Sequence, residues 1–154
     1  MADLLKNPNP QREENKRTVN WDLEVGVKRM NVDVEETQKY YNSIKQESLC
    51  SCNYCKNYYR QIKSSYPAIA SYLASFGVDI EKPFETSPLE PDINGMLEYC
   101  VCQYIVFGSC TSTYSHRIGE VNFRVASSYP STGIKEEHFV LELSPIRLKV
   151  ILPL

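Results

Sequence analysis

Three cysteines spaced C-x-C-x-x-C, at Cys50, Cys52 and Cys55, are the residues of this sequence most suited to chemistry. Thiolates bind zinc and other soft metal ions, and a structural zinc site takes four ligands in tetrahedral geometry. The fourth ligand would have to come from elsewhere in the chain, where the candidates are Cys100, Cys102, Cys110 and His116. The spacing lacks the paired C-x-x-C motifs of common zinc-binding sequences. The sequence therefore leaves two interpretations open: a protein without a cofactor, in which Cys55, Cys100 and Cys102 are small apolar side chains, or a zinc site at this cluster.

Thiol redox or nucleophilic chemistry is a further hypothesis for the same cysteines. Apolar residues recur at helical spacing from Cys52 to Tyr66, which places Cys52 near a helix start and Cys55 in the first turn. The positive end of the helix dipole favours a thiolate there. In the thioredoxin-like context, however, a strand precedes the C-x-x-C motif, whereas a helix is predicted to precede it here. No catalytic residue is assigned on this basis.

Other enzyme motifs are missing from the sequence, which has no G-x-S-x-G, P-loop, H-E-x-x-H or dinucleotide-binding glycine pattern. The two histidines, His116 in a predicted loop and His138 on the polar side of a predicted strand, are interpreted as surface residues. The sequence therefore favours a non-enzymatic protein over an enzyme.

Charge and hydropathy exclude several classes of partner. The chain has 17 Lys and Arg against 19 Asp and Glu, and this balance argues against a nucleic-acid surface despite eleven tyrosines. No segment approaches the roughly 20 apolar residues that span a bilayer, and the N-terminus lacks the features of a secretory signal. We predict a cytoplasmic protein with reduced thiols and with neither nucleic acid nor membrane as a partner.

The 154 residues suit one domain, predicted over residues 18–154 after a flexible arm at residues 1–17. Apolar and polar residues alternate over residues 19–27, which predicts a first strand. Three helices follow: residues 34–47 after an Asp33 cap, a second from the cysteine cluster to Tyr66, and a third from Pro67 to a stop at Gly77. Residues 79–94 contain three prolines and are predicted to be an irregular connection.

Four more strands are predicted at residues 96–107, 121–125, 139–143 and 146–152, with loops at residues 111–117 and 127–135. The fold prediction is an α+β domain with a mostly antiparallel sheet of about five strands and a three-helix insertion after the first strand, packed on one face. The predicted core consists of Trp21, Leu23, Val25, Val101, Ile105, Phe123, Phe139, Leu141 and Leu148.

The strand at residues 96–107 is apolar on both faces, with Tyr99 and Ile105 assigned to one face and Cys102 and Tyr104 to the other. Helices would cover only one of these faces. We therefore predict self-association as a homodimer, unless residues 79–94 fold back over the second face. The favoured function is a non-enzymatic domain that contacts its own copies or another protein, and zinc-binding or thiol-based activity at Cys50, Cys52 and Cys55 is the alternative.

Three local motifs resemble those of a group of small uncharacterised bacterial proteins. They are Cys50-x-Cys52-x-x-Cys55-Lys56-Asn57-Tyr58, Leu73-x-x-Phe76-Gly77-Val78-Asp79-x-x-Lys82-Pro83 and Glu36-Thr37-x-x-Tyr40-Tyr41. The group would be expected to have a glycine-rich aromatic strand near Tyr99 and a tryptophan near Val150, and the sequence departs from it at both places. The resemblance implies bacterial membership but no activity and no functional residue.

Overall fold

The structure is a computed structural model, and it describes residues 30–154 together with the backbone of residues 18–20. The predicted arm over residues 1–17 lies outside the described residues, as does most of the predicted first strand, including Trp21, Leu23 and Val25.

The described elements are eight strands and three α-helices with one short 3-10 turn. In chain order they are β1 (Thr18–Asn20), β2 (Met30–Asp33), α1 (Val34–Ser43), the 3-10 turn (Gln46–Ser48), α2 (Asn53–Ser65), α3 (Pro67–Ala74), β3 (Glu85–Pro88), β4 (Met96–Cys110), β5 (Ser115–Ile118), β6 (Val121–Val125), β7 (His138–Ser144) and β8 (Ile146–Lys149). All the described strand pairs are antiparallel. The predicted α+β class, with the helices inserted between the N-terminal strands and the rest of the sheet, is confirmed, although the sheet has more than five strands.

Local signals determine where the helices begin and end. Asp33 caps α1, because its Oδ1 accepts a hydrogen bond from the Glu36 backbone N–H at 3.0 Å. Pro67 occupies the first turn of α3, and Gly77 follows that helix with a φ of 86°. The end of α1 was predicted too late: Ile44 is extended and donates its N–H to the Tyr41 carbonyl, so the helix stops at Ser43.

Strand β4 is the centre of the sheet, since it pairs with β2, β3, β7 and β8. Its side chains are buried on both faces: Tyr104 and Val106 belong to the main core against the helices, and Ile105 and Phe107 belong to a smaller cluster on the opposite face. Strand β4 is therefore covered on both faces.

A β-bulge interrupts β4 near Cys100 and Val101. On β3, Thr86 is opposite Cys102 and Pro88 is opposite Tyr99, so three steps along β4 match two steps along β3. One additional residue on β4 reverses which face the following side chains reach.

The bulge corrects the predicted faces of β4. Tyr99 precedes the bulge and Cys102 and Tyr104 follow it, yet all three side chains belong to the main core. The prediction that placed Tyr99 with Ile105 was wrong, because strict alternation does not continue through a bulge. Val101, predicted to be in the core, lies at the bulge and is only half-buried.

Two segments that were predicted to be loops contain strands. Residues 79–94 include β3, and residues 111–117 overlap β5. Both strands have four residues and no fully buried side chain, so neither shows the apolar alternation by which a strand is recognised. Their strand conformation comes from pairing with β4 and β6.

The chain itself covers the second face of β4. Phe84, from the segment before β3, and Ile134, from the connection between β6 and β7, pack against the smaller cluster. On the face toward the helices, Tyr104 and Val106 are each 0% exposed. The apolar surface from which a homodimer was predicted is thus buried within one chain.

Side chains of α2 cover the outer edge of β8. Asn57 Nδ2 donates to the Lys149 carbonyl at 2.9 Å, and Asn57 Oδ1 accepts from the Ile151 N–H at 2.8 Å. Gln61 Nε2 donates to the same Lys149 carbonyl at 2.7 Å. These contacts fix α2, and with it the cysteine cluster at its start, to the sheet.

Asn57→Leu is expected to lower the free energy of unfolding by about 2–3 kcal/mol, because Asn57 is fully buried and its loss leaves the Ile151 N–H without its partner. Gln61→Leu is the matched control, since Gln61 is half-buried and shares its acceptor with Asn57. It should reduce stability by less than about 1 kcal/mol in the same urea titrations. Equal losses in the two variants would contradict the role assigned to Asn57.

Candidate metal centre

The sulfur atoms of Cys50, Cys52 and Cys55 lie within 4.8 Å of one another. Within residues 30–154, this is the one group of three or more cysteine, histidine, aspartate or glutamate side chains that could hold a metal ion. Zn–S bonds of 2.3 Å at tetrahedral angles require sulfur atoms about 3.8 Å apart. Small side-chain rotations would therefore bring all three sulfurs to one ion.

The start of α2 brings the three cysteines together. Cys52 is the N-cap in extended conformation, and its Sγ accepts a hydrogen bond from the Cys55 backbone N–H at 3.4 Å. Tyr59, one turn further along the helix, donates its hydroxyl to the Cys50 carbonyl at 3.1 Å. The Cys52 cap and the Tyr59 hydrogen bond thus hold residues 50–52, which precede the helix, close to its first turn.

The other side of the cluster is formed by β3. Cys55 Sγ is 3.7 Å from Thr86 Oγ1, and Thr86 is paired with Cys102 beside the β4 bulge. The negative charge of the Glu85 carboxylate opposes ionisation of the Cys50 thiol. Glu85 and Thr86 were not predicted from the sequence, because only the pairing of β3 with β4 brings them near the cysteines.

The environments of Cys50 and Cys55 differ. Hydrogen bonding to the Cys52 backbone, and then to the Cys52 and Cys55 side chains, lowers the pKa of the exposed Cys50 thiol. Desolvation raises the pKa of the half-buried Cys55 thiol to about 12, and the hydrogen bond to Thr86 only partly offsets this effect. Cys50 is the more easily ionised of these two thiols.

None of the predicted fourth ligands belongs to the group. Cys102 is buried in the main core, and Cys110 ends β4 opposite Met30 of β2. Cys100 is half-buried on β4, and the His116 ring stacks on Tyr72 with a centroid distance of 4.6 Å. All six cysteines and both histidines lie in the described part of the chain. The structure thus assembles three of the sequence-predicted ligands and separates the fourth candidates from them.

His138 does not join a cluster of reactive groups. It is half-buried rather than a fully exposed surface residue. Its Nδ1 lies 2.8 Å from the Glu136 carbonyl, and its Nε2 lies 2.8 Å from the Thr132 hydroxyl. Both contacts are within its own hairpin connection, which gives this histidine a structural role.

No family model, curated protein or solved structure matches this chain. The resemblance to a bacterial group therefore stays a prediction. Among the described residues, no helix is both long and apolar enough to cross a membrane.

Proposed function

We propose that this protein binds a soft metal ion, with zinc as the first choice, through the thiolates of Cys50, Cys52 and Cys55. The observation that carries the proposal is the position of three cysteine sulfurs within 4.8 Å of one another at the start of one helix. Soft thiolate ligands select zinc or monovalent copper over magnesium or calcium.

Solvent exposure separates these cysteines from apolar filler residues. Cys50 and Cys52 are exposed, whereas Cys102 is fully buried. A cysteine that serves as a small apolar side chain is expected in the core. The filler interpretation, which was made for Cys55, Cys100 and Cys102, thus suits Cys102 and does not extend to Cys50 and Cys52.

The charge of the site is also favourable for a divalent ion. Three thiolates and one zinc ion carry a net charge of −1, which the N-terminus of α2 stabilises through its dipole. The fourth coordination position would be taken by water, since three protein ligands and an open position are typical of exchangeable or catalytic zinc.

Competition titration with a chelator under reducing conditions tests the proposal. One equivalent of zinc should bind. Cys52→Ser should weaken binding roughly 100-fold, since 10–16 kcal/mol spread over four ligands is about 3 kcal/mol for each. Cys110→Ser is the control, because this half-buried cysteine lies outside the group. Equal affinity in the two variants, or no saturable binding to the unmodified protein, would refute the site.

Contact with its own copies or with another protein is the second candidate function. The observation that favours it is the exposure of apolar side chains at one end of the sheet: Leu89 is 50% exposed, Ile93 is 100% exposed and Ile151 is 51% exposed. Residues 95 and 150 are joined by a backbone hydrogen bond of 2.9 Å, which brings the turn after β3 next to the segment after β8.

Light scattering over a concentration series tests self-association. We expect any dimer to be weakened by Ile93→Asp, because this side chain is fully exposed. Tyr104→Asp should instead unfold the protein, because it buries a carboxylate in the main core. A monomer at every concentration would rule out self-association.

A further inference from the structure

We infer that Cys52 and Cys55 of the metal-free protein act as a dithiol that exchanges with small disulfides and closes to a Cys52–Cys55 disulfide. The exchange reaction does not require metal binding. Its inhibition by bound metal rests on the proposed function.

The positions of the two cysteines on α2 carry the inference. Cys52 is the N-cap and Cys55 is three residues further on, so the C-x-x-C spacing spans the first turn of the helix. The Cys55 N–H already donates to Cys52 Sγ at 3.4 Å, and the two sulfurs lie within 4.8 Å of each other. A change of side-chain rotamers can therefore bring the sulfurs to bonding distance without unwinding the helix.

Solvent access assigns different roles to the two thiols. Cys52 is exposed and can be reached by a dissolved disulfide. Cys55 is half-buried, with its sulfur 3.7 Å from Thr86 Oγ1, so the nearby Cys52 sulfur reaches it more readily than an external reagent does. Cys52 is thus the attacking thiol and Cys55 the resolving thiol. Cys50 is exposed as well, but a bond to Cys52 would close a tighter ring across one intervening residue.

The reaction has two balanced steps. The Cys52 thiolate attacks one sulfur of a low-molecular-weight disulfide, breaks its S–S bond and releases one thiolate, which leaves a mixed disulfide on Cys52. Cys55 then loses its proton and attacks the Cys52 sulfur, which forms the Cys52–Cys55 bond and releases the second thiol. The protein gives up two electrons and two protons, and the small disulfide becomes two thiols.

Metal binding and disulfide formation exclude each other at these sulfurs. A sulfur atom that donates an electron pair to zinc is a weaker nucleophile, and zinc itself does not change its oxidation state. Bound metal would therefore keep the cluster reduced, and oxidation would prevent the metal from binding.

The test is incubation of metal-free, reduced protein with oxidised glutathione in the presence of a chelator, followed by peptide mapping by mass spectrometry. The unmodified protein should form a Cys52–Cys55 disulfide. Cys55→Ser should stop at the mixed disulfide with glutathione. Cys110→Ser, the control outside the cluster, should react like the unmodified protein. Absence of an internal disulfide, or a Cys50–Cys52 bond in its place, would overturn the inference.

A second experiment separates this inference from the proposed function. One equivalent of zinc, added without chelator, should slow disulfide formation at least about tenfold by occupying the attacking thiolate. An unchanged rate in protein shown by titration to hold zinc would overturn the inhibition. If no zinc binds but the disulfide still forms, the proposed function fails while the exchange reaction stands.

Discussion

Gly108→Ala should lower the free energy of unfolding by at least about 4 kcal/mol, enough to unfold much of a domain of ordinary stability. Gly108 has a φ of 125°, and a Cβ atom there would lie 2.0 Å from the Asn31 carbonyl oxygen and 3.0 Å from Val32 Cα. These are backbone atoms of β2, so a side-chain rotation cannot relieve the overlap. Strand β2 would have to separate from β4.

Gly95→Ala is the control for this prediction. Gly95 also has a positive φ, 73°, but a Cβ atom there would meet nothing within 4 Å. Its substitution should therefore cost only the conformational strain, about 1–2 kcal/mol. Urea denaturation followed by circular dichroism measures both variants, and similar losses in the two would show that β2 and β4 do not pack as closely as described.

The affinity for zinc should rise about 100-fold between pH 6 and pH 8 from Cys55 alone. The pKa of this thiol is about 12, so it keeps its proton throughout this range and must release it when metal binds. Each pH unit lowers the proton concentration tenfold, so displacement of this proton becomes tenfold more favourable. The direction is thus tighter binding at higher pH. The lowered pKa of Cys50 makes its own contribution smaller.

The measurement is a series of chelator competitions at fixed ionic strength, each corrected for the protonation of the chelator. Cys55→Ser should reduce the slope of log affinity against pH by about one, because one proton fewer is displaced. An unchanged slope would show that Cys55 is not a ligand. Cys110→Ser should keep the slope of the unmodified protein.

Features that depend on a few neighbouring residues were predictable from the sequence. The Asp33 cap, the Pro67 helix start and the Gly77 stop are such features, because each acts on backbone groups within a few residues. The grouping of Cys50, Cys52 and Cys55 was predictable for the same reason. A helix start brings residues of this spacing close together whatever the rest of the chain does.

Features that depend on distant pairing were not predictable. The bulge at Cys100 and Val101 is recognisable only from the register with β3, and its local sequence continues the apolar run on both sides. Thr86 and Glu85 reach the cysteine cluster because β3 pairs with β4, although β3 has no apolar alternation. The cover of Ile105 likewise comes from Phe84 and Ile134, which are distant in the chain, and for that reason the sequence suggested a second copy instead.

The central position of β4 has a consequence for how the protein is made. Its register partners extend from Met30 in β2 to Lys149 in β8, so β4 is synthesised before two of the strands that pair with it, β7 and β8. Until then, its edge offers unpaired backbone groups between apolar side chains, the combination that promotes association of nascent chains. Chains halted before residue 138 are therefore expected to require chaperones and to be removed by proteolysis.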